Sequence, residues 1–529
     1  GATINSLSGA GSVALGSKTL TLANAQDTFS GSFTGSGNVV KQGAGKFTLN
    51  GQSSAFTGLT TIGAGSLAVG DLNHPSAVLG GDALVNPNGT LSGHGTVLGN
   101  VTNNGIVAPG GSIGTLSVGG NYTQASGGTL SLEISPQQGS QLQVQGSANL
   151  NGTLNIVFDP GTYTARQYTL LTAGNGVSGR FSSVTTASPG VNLGLLPSSV
   201  TYLANEVDLS TSSPLFVVAP TRTSIYPGLG TAAILQAQNT TATVMEKIAG
   251  LSCTSHTSEA PWVNAINERT HLNGSTPPGF TARTYGFLAG GVGACTDALT
   301  LGGALGYTRT TVGEDVTGSS GGIDSVRVSA YGTQHLGGVN LSGVLGYGVH
   351  QFTQTRQLDA YSAATGSNSG QEMTAAMQLS LPSSTQGLNM LPAVGVRYAY
   401  GRQGGFTESG AGGQNLLVSA NTVRSKQAYT GMSFDKDLVG MAYPINLKVW
   451  LEYAREIGDA SRSLTVNAQD GTAFLATGVD LPKSWLTTGV GLSWQQSKMT
   501  TLSLNLADKF NTGHLSTHSA SFWLNHQFD

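Results

Sequence analysis

The sequence predicts an all-β chain in two parts. A parallel β-helix occupies residues 1–222, a linker with one α-helix occupies 223–255, and an antiparallel transmembrane β-barrel occupies 256–529. Three observations predict this. Glycine is abundant (77 of 529 residues) and charge is scarce (9%), yet 38% of residues are hydrophobic, enough apolar surface for a folded core. The pattern changes near position 220: residues 1–220 hold 12 charged residues, 11 aromatics and no Trp, whereas 221–529 hold 37, 25 and all five Trp. From Pro261 onward, apolar and polar residues alternate with a period of two over segments long enough to cross a bilayer as tilted strands.

Other classes drop out on composition. With 17 Pro and no G-X-Y period, collagen is excluded. No run of about 18 apolar residues exists, so no membrane-spanning helix is readable. A net charge of −3 gives no sign of a nucleic-acid partner. Two cysteines exclude a disulfide framework but allow one bridge in an oxidising compartment. No secretory signal is readable at Gly1, where the chain opens in mid-pattern, and a processed or truncated form is expected.

The first element is a solenoid. Runs of three to five residues are punctuated by Asn-Gly, Gly-Ser or Gly-Gly, as in 37–51, 58–70, 81–110 and 146–158. The recurrence of G-x-L/V-x-V/L about every 20 residues suits stacked coils, each hiding apolar residues in a narrow core. Residues 200–222 close this part.

Residues 228–250 read as a helix: Ala, Gln, Leu and Met are good helix formers, and Gly250 offers a C-terminal stop. About 20 residues make about 30 Å, the thickness of a bilayer core. Gln236, Gln238, Asn239, Glu246 and Lys247 make it too polar to face lipid. Two readings stay open from the residues alone: a surface helix joining two domains, or a helix inside a polar channel.

Twelve strands follow, at about 261–272, 280–293, 298–311, 324–336, 338–353, 371–381, 388–402, 425–437, 444–456, 484–496, 499–511 and 516–528. Leu301, Leu305 and Tyr307 share one face of the third, and Thr300, Gly302, Ala304, Gly306 and Thr308 the other. Alternation alone also fits a half-buried soluble sheet. Strand length, and aromatics such as Tyr307, Tyr398, Tyr453, Trp494 and Phe510 near the ends of the apolar stripe, favour a transmembrane barrel. Connections alternate between long (312–323, 354–370, 403–424, 457–483) and short, which puts the long ones outside and the short ones on the periplasmic side.

At this point the chain resembles the autotransporters, the type V secretion family of Gram-negative outer membranes. The segment 35–70 is similar to the passenger-associated transport repeat, and 107–124 with 139–156 looks like the final passenger coils, within an autochaperone region of about 100–220. APWVNAINERTHLNG and ARTYGFLAGGVGAC look like the first two barrel strands. SASFWLNHQF resembles the terminal strand read by the barrel-assembly machinery, with Phe522, Leu524 and Phe528 as the signal, although Asp529 follows where the family ends on the aromatic.

The resemblance implies a right-handed passenger β-helix, a monomer, and a pore filled by 228–250. Gly302, Ala304, Gly306, Gly346 and Gly348 would leave room for that helix. Arg397, Asp435, Lys448 and Glu452 become candidates to touch it or line water, with pairs expected among them because buried charges need partners. Cys253 and Cys295 fall at the same periplasmic face, and a bridge closing about 43 residues would stabilise by about 4 kcal/mol in the chain-entropy model.

Chemistry is sparse. GGSIG around Ser112 fits G-x-S-x-G, but the nucleophile elbow needs a strand-turn-helix that is not readable here. No metal motif is found, and neither a metal nor a cofactor is expected. Some family members release the passenger by Asn cyclisation in the pore, and Asn239 is the one Asn of the helix, although it lacks the Asn-Asn pair of the best-known self-cleaving branch. The expected function is translocation and surface display of the chain's own N-terminal part, in the manner of an adhesin. Implied partners are outer-membrane lipid, the barrel-assembly machinery, periplasmic chaperones and a surface ligand of unknown identity. The alternative is a surface-anchored enzyme whose catalytic domain lies upstream of residue 1; an ordinary plugged porin is a third reading.

Overall fold

The computed structural model describes the chain apart from residues 189–190, 194–197, 213–214, 250–260, 359–361, 439–444, 459–461, 498 and 527–529. It divides into two units. The first spans Gly1–Thr221 with the short segments Gly410–Asn415 and Asn467–Thr472; the second holds the remainder.

The first unit is a stack of parallel ladders. Ala2–Ile4, Leu20–Leu22, Val39–Lys41, Thr60–Val69 and Ala83–Gly93 follow one another in parallel register, Leu20 against Val39 and Val39 against Thr60. A second ladder runs through Gln52–Ser53, Val78–Leu79, Thr96–Val97, Thr115–Val118 and Gln141–Val144. Alternate residues point inward, so Leu22, Leu49, Ile62, Val85, Val107, Leu130 and Leu154 form one continuous, fully buried core. Each such side chain contributes about 1.5–3 kcal/mol of hydrophobic stabilisation. Coils approach so closely that a Cβ on Gly51 would lie 1.8 Å from the carbonyl oxygen of Gly31, one coil earlier, so only glycine fits that turn.

Polar groups also point inward, among them Lys41 and Asn103. Lys41 is fully buried, and its Nζ donates to the carbonyls of Gln42 (3.2 Å), Gly43 (2.7 Å) and Ala64 (2.9 Å), which satisfies the ammonium without a carboxylate. Asn103 donates to Tyr122 OH (3.1 Å) and to the Thr129 carbonyl (2.9 Å), while Tyr122 OH donates to Gln124 Oε1 (2.6 Å). Such a ladder fixes register where apolar residues alone would tolerate slippage.

The solenoid ends in antiparallel pairing rather than in a further parallel coil. Arg166–Ala173 pairs antiparallel with Glu206–Thr211, which pairs antiparallel with Ser198–Tyr202. Gly161–Tyr163 likewise pairs antiparallel with Phe216–Val218, bringing Tyr163 and Phe216 into a stack at 4.9 Å. The physical reason is the open edge of a last parallel coil: folding the chain back satisfies its free N–H and C=O groups.

In the second unit, twelve antiparallel strands close on themselves: β1 (Trp262–Ser275), β2 (Pro278–Cys295), β3 (Leu299–Glu314), β4 (Ser320–Leu336), β5 (Val339–Gln357), β6 (Ala363–Ser380), β7 (Leu388–Gln403), β8 (Asn421–Leu438), β9 (Ile445–Glu456), β10 (Ser484–Gln495), β11 (Thr500–Asn511) and β12 (Leu515–His526). Closure runs from Trp262 opposite Asn525 to Leu272 opposite Leu515. Leu301, Leu305, Leu345, Met373 and Val396 are exposed on the outer face, while Thr300, Thr308, Ser325 and Arg327 are buried on the inner one. No described helix is long and apolar enough to cross a membrane.

Three of the four long connections are shorter than the alternation suggested, because β4, β6 and β8 begin earlier and β3 and β5 end later, while 457–483 keeps its expected bounds. Within 403–424 and 457–483, both expected as loops, Phe406–Thr407, Leu417–Val418, Ser463–Asn467 and Ala473–Thr477 form a separate four-stranded sheet. Phe406, Val418, Val466 and Ala476 are buried there in one cluster with Ile225, Tyr226 and Leu229. The two-residue strands Phe406–Thr407 and Leu417–Val418 are too short to show periodicity; packing with the start of the helix creates them.

Candidate functional site

The helix α1 (Ile225–Ala249) stands inside the barrel. Ser224 precedes it, with its carbonyl accepting from the Gly228 N–H at 3.0 Å, and Pro227 falls in the first turn, where a missing N–H is tolerated. Lys247 lies in the last turn, favourable to the helix dipole. The residues that make it too polar for lipid each meet a partner on the barrel wall.

At the helix start, Tyr226 OH bonds Glu408 Oε1 and accepts from Arg356 Nε (3.0 Å). Arg356 forks onto Glu408, Nε to Oε1 at 3.0 Å and a terminal nitrogen to Oε2 at 2.7 Å, and the Leu416 N–H also donates to Oε2 (2.8 Å). Side-chain exposure of the pair is 0% and 1%. Around mid-helix, Gln236 bonds Thr308, and its Oε1 accepts from Arg327 (3.0 Å). Arg327 is itself paired with Glu372, whose Oε2 lies 3.2 Å from His350 Nε2. Gln238 bonds Ser425, which bonds Glu456.

Lower down, Asn239 Nδ2 donates to Glu268 Oε1 (2.7 Å) and its Oδ1 accepts from Lys509. Glu246 accepts from Lys448 at 2.9 Å, and Lys247 donates to Asn525 Oδ1 at 2.9 Å. Thr333 donates to the Ile248 carbonyl (3.2 Å), which gives one of the orphan carbonyls at the helix end a partner.

Beside the helix a cavity of about 620 Å³ remains, bounded by Asn239, Glu246, Glu268, Arg397, Asp435 and Lys448 among others. Lys448 reaches α1 through Glu246. Arg397 pairs with Glu452 and lies 3.9 Å over the Tyr429 ring, and Asp435 accepts from Asn389 (2.9 Å) and Asn446 (3.2 Å). Arg397, Glu452 and Asp435 thus bond to the wall itself.

The inner-wall glycines act differently from expectation. A Cβ on Gly302 would strike Tyr331, one on Gly306 Leu288, one on Gly346 Thr374, and one on Gly348 Glu372 and Arg327. The space they leave is filled by neighbouring wall side chains, and Arg327 in turn reaches the helix. Gly321 and Gly401 are wall glycines whose Cβ would meet α1, 2.8 Å from Leu229 and 3.5 Å from Ile234.

Cys295 ends β2 and is disulfide-bonded, while Cys253 lies outside the described residues. Phe522 and Leu524 face outward on β12, and Phe528 lies outside the described residues. Ser112 sits in a turn between two short strands, Ile106–Pro109 and Thr115–Val118, with no helix following. Tyr226, Arg356, Glu408, Arg327, Glu372 and His350 were not singled out from the sequence. The inward parity of Arg327, His350 and Glu372 was legible within the expected strands, whereas Tyr226 precedes the expected helix and Arg356 and Glu408 fall in segments expected as loops; their partners sit on other elements, and only the folded arrangement brings them together.

Residues 261–507 match the family model of the autotransporter beta-domain, and residues 39–69 match that of the passenger-associated transport repeat. The Extracellular serine protease of Serratia marcescens is 29% identical over 195 residues, covering 35% of this chain and 18% of that protein. The Adhesin BmaC autotransporter of Brucella suis biovar 1 (strain 1330) is 43% identical over 97 residues, covering 18% and 3%. The chain therefore spans less than a fifth of the length of these curated relatives. Among solved structures, the translocator domain of the autotransporter NalP from Neisseria meningitidis is 16% identical with a TM-score of 0.47, over 58% of this chain and 99% of that one.

Proposed function

Because this chain is an autotransporter, with a β-domain and a passenger-associated transport repeat, we propose that its barrel carried the preceding β-helix outward and remains plugged by the connecting helix. The barrel lies in the outer membrane, with the passenger displayed on the cell surface. The observation that carries the proposal is α1: a polar helix, joined at its start to the β-helix, bonded along its length to the inner wall. A segment too polar for lipid holds that position only where the wall supplies partners.

Drive for outward movement comes from folding. Each coil that stacks outside buries apolar surface, which favours export without a nucleotide. The final coils, within about 100–220, fold first in this reading and template the rest. Phe522, Leu524 and Phe528 form the strand signal for the barrel-assembly machinery, with periplasmic chaperones holding the chain beforehand. Cys253 and Cys295 join in one bridge that tethers the lower end of the helix. Adhesion is the favoured surface role, in keeping with the likeness to an adhesin autotransporter. The likeness to an extracellular serine protease favours a second reading, in which an upstream catalytic domain rides on the same barrel.

Protease added to intact cells tests display: residues 1–220 are digested while the barrel is spared. A passenger that resists until the outer membrane is permeabilised overturns the proposal.

A further inference from the structure

The outer wall of the barrel carries cations near its extracellular end that the lumen does not use. On β1–β3 these are Arg269, Arg283 and Arg309; on β7–β9 they are Arg402, Arg424, Lys426 and Arg455, all exposed. They share parity with the outward apolar stripes. Arg283 stands one outward step beyond Tyr285, Arg309 beyond Tyr307, Arg402 beyond Tyr400 and Arg455 beyond Tyr453. A ring followed by a cation is the order of side chains at a membrane–water interface.

This zone has few anions of its own. Asp324 is taken by Tyr307 OH (2.7 Å) and Arg309 (3.8 Å), and Asp508 by His518 (2.6 Å). Arg269 stands directly opposite Arg283 on β2 and opposite His518 on β12. Like charges facing across a ladder are destabilising. Among the described residues, no carboxylate lies within ion-pair distance of Arg269, Arg283, Arg402, Arg424 or Arg455. Between the two groups, on β3–β7, a shallow surface groove of about 680 Å³ is lined by Tyr307, Asp324, Gln351, Gln371 and Arg402 among others.

The geometry points to an outward docking belt for the phosphate groups of a phosphorylated glycolipid in the outer leaflet. Acyl chains lie on the apolar stripe below the tyrosines, and phosphates sit among the guanidinium groups, whose planar forks suit phosphate oxygens. A bound phosphate supplies the counter-charge that Arg269 and Arg283 lack. The inference rests on this face lying in the outer membrane.

The test uses the full chain in detergent, with bis-phosphorylated lipid A as probe and its dephosphorylated form and inorganic phosphate as comparisons. Bound lipid is read by native mass spectrometry. Heat-modifiable migration after insertion into phosphatidylcholine vesicles reports separately that each variant forms a barrel, so failure of the barrel reading is distinguishable. Binding is expected to favour the bis-phosphorylated lipid, and to weaken about tenfold or more in Arg269→Gln/Arg283→Gln and in Arg402→Gln/Arg424→Gln. Lys436→Gln, on the outward face of β8 near its periplasmic end, leaves binding unchanged. Equal retention of the dephosphorylated lipid, unchanged binding in both folded double variants, or displacement by micromolar inorganic phosphate overturns the proposal.

Discussion

Replacing Glu408 by Gln removes the counter-charge of Arg356 while keeping the volume of the side chain. The guanidinium is fully buried and bonded to Glu408 through two nitrogens and to Tyr226 through one, so no water replaces the lost anion. Breaking a buried pair by removing one partner costs about 3–5 kcal/mol, and weakening the bond to the Leu416 N–H adds about 1 kcal/mol. At 1.4 kcal/mol per tenfold, this moves the seating equilibrium of the helix start by roughly three to four orders of magnitude. The assay pairs denaturant unfolding of the detergent-solubilised chain, followed by Trp fluorescence, with single-channel conductance in planar bilayers. Glu408→Gln is expected to lower the unfolding midpoint and to produce open events of the unplugged pore. The double variant Arg356→Met/Glu408→Met, which removes both charges, is expected to recover most of the stability. A Glu408→Gln protein within about 0.5 kcal/mol of wild type and without extra conductance refutes the reasoning, because it would mean that the pair is hydrated.

Three further predictions follow from other sites. In the solenoid, burial and then the neighbouring Glu133 push the Asp159 carboxyl up to about 10, from an ordinary 3.8, so the folded state keeps a proton that the unfolded chain releases. Solenoid stability is therefore fully present below about pH 4 and falls as pH rises towards about 10, by at most about 1.4 kcal/mol per pH unit from this group; Asp159→Asn flattens the slope, and an unchanged pH profile in that variant contradicts the assignment. Asn239→Ala leaves the size of the surface passenger unchanged on immunoblots, because the amide nitrogen is held by Glu268 and the Asn239 carbonyl accepts from Thr243 Oγ1 within a continuous helix; a shift to a larger species in the variant refutes this. A Cys253–Cys295 bridge gives different electrophoretic mobility with and without reductant, and equal mobility with both thiols alkylated before reduction rules it out.

Much of the architecture was written in local pattern. Side chains alternate across a strand by covalent geometry, so Leu301, Leu305 and Tyr307 had to face away from Thr300 and Thr308 whatever the rest of the chain did. The twelve barrel strands, their order and the polar helix follow from such short-range information, as do the solenoid coils marked by Gly turns. The likeness to a known family then supplied what periodicity left open, that the helix belongs inside the barrel.

What only the tertiary structure decided is which inward residues meet. Arg327 and Glu372 lie on β4 and β6 with β5 between them, and Gln236 joins them from the helix. Arg356 finds Glu408 in the segment after β7, just beyond the two-residue strand Phe406–Thr407. The antiparallel fold-back at the end of the solenoid is equally non-local, since it depends on an open edge that exists only once the coils have stacked. A period of two fixes the face a residue occupies, whereas strand register and helix placement fix its partner, and those are set by the closure of the whole barrel rather than by any one segment.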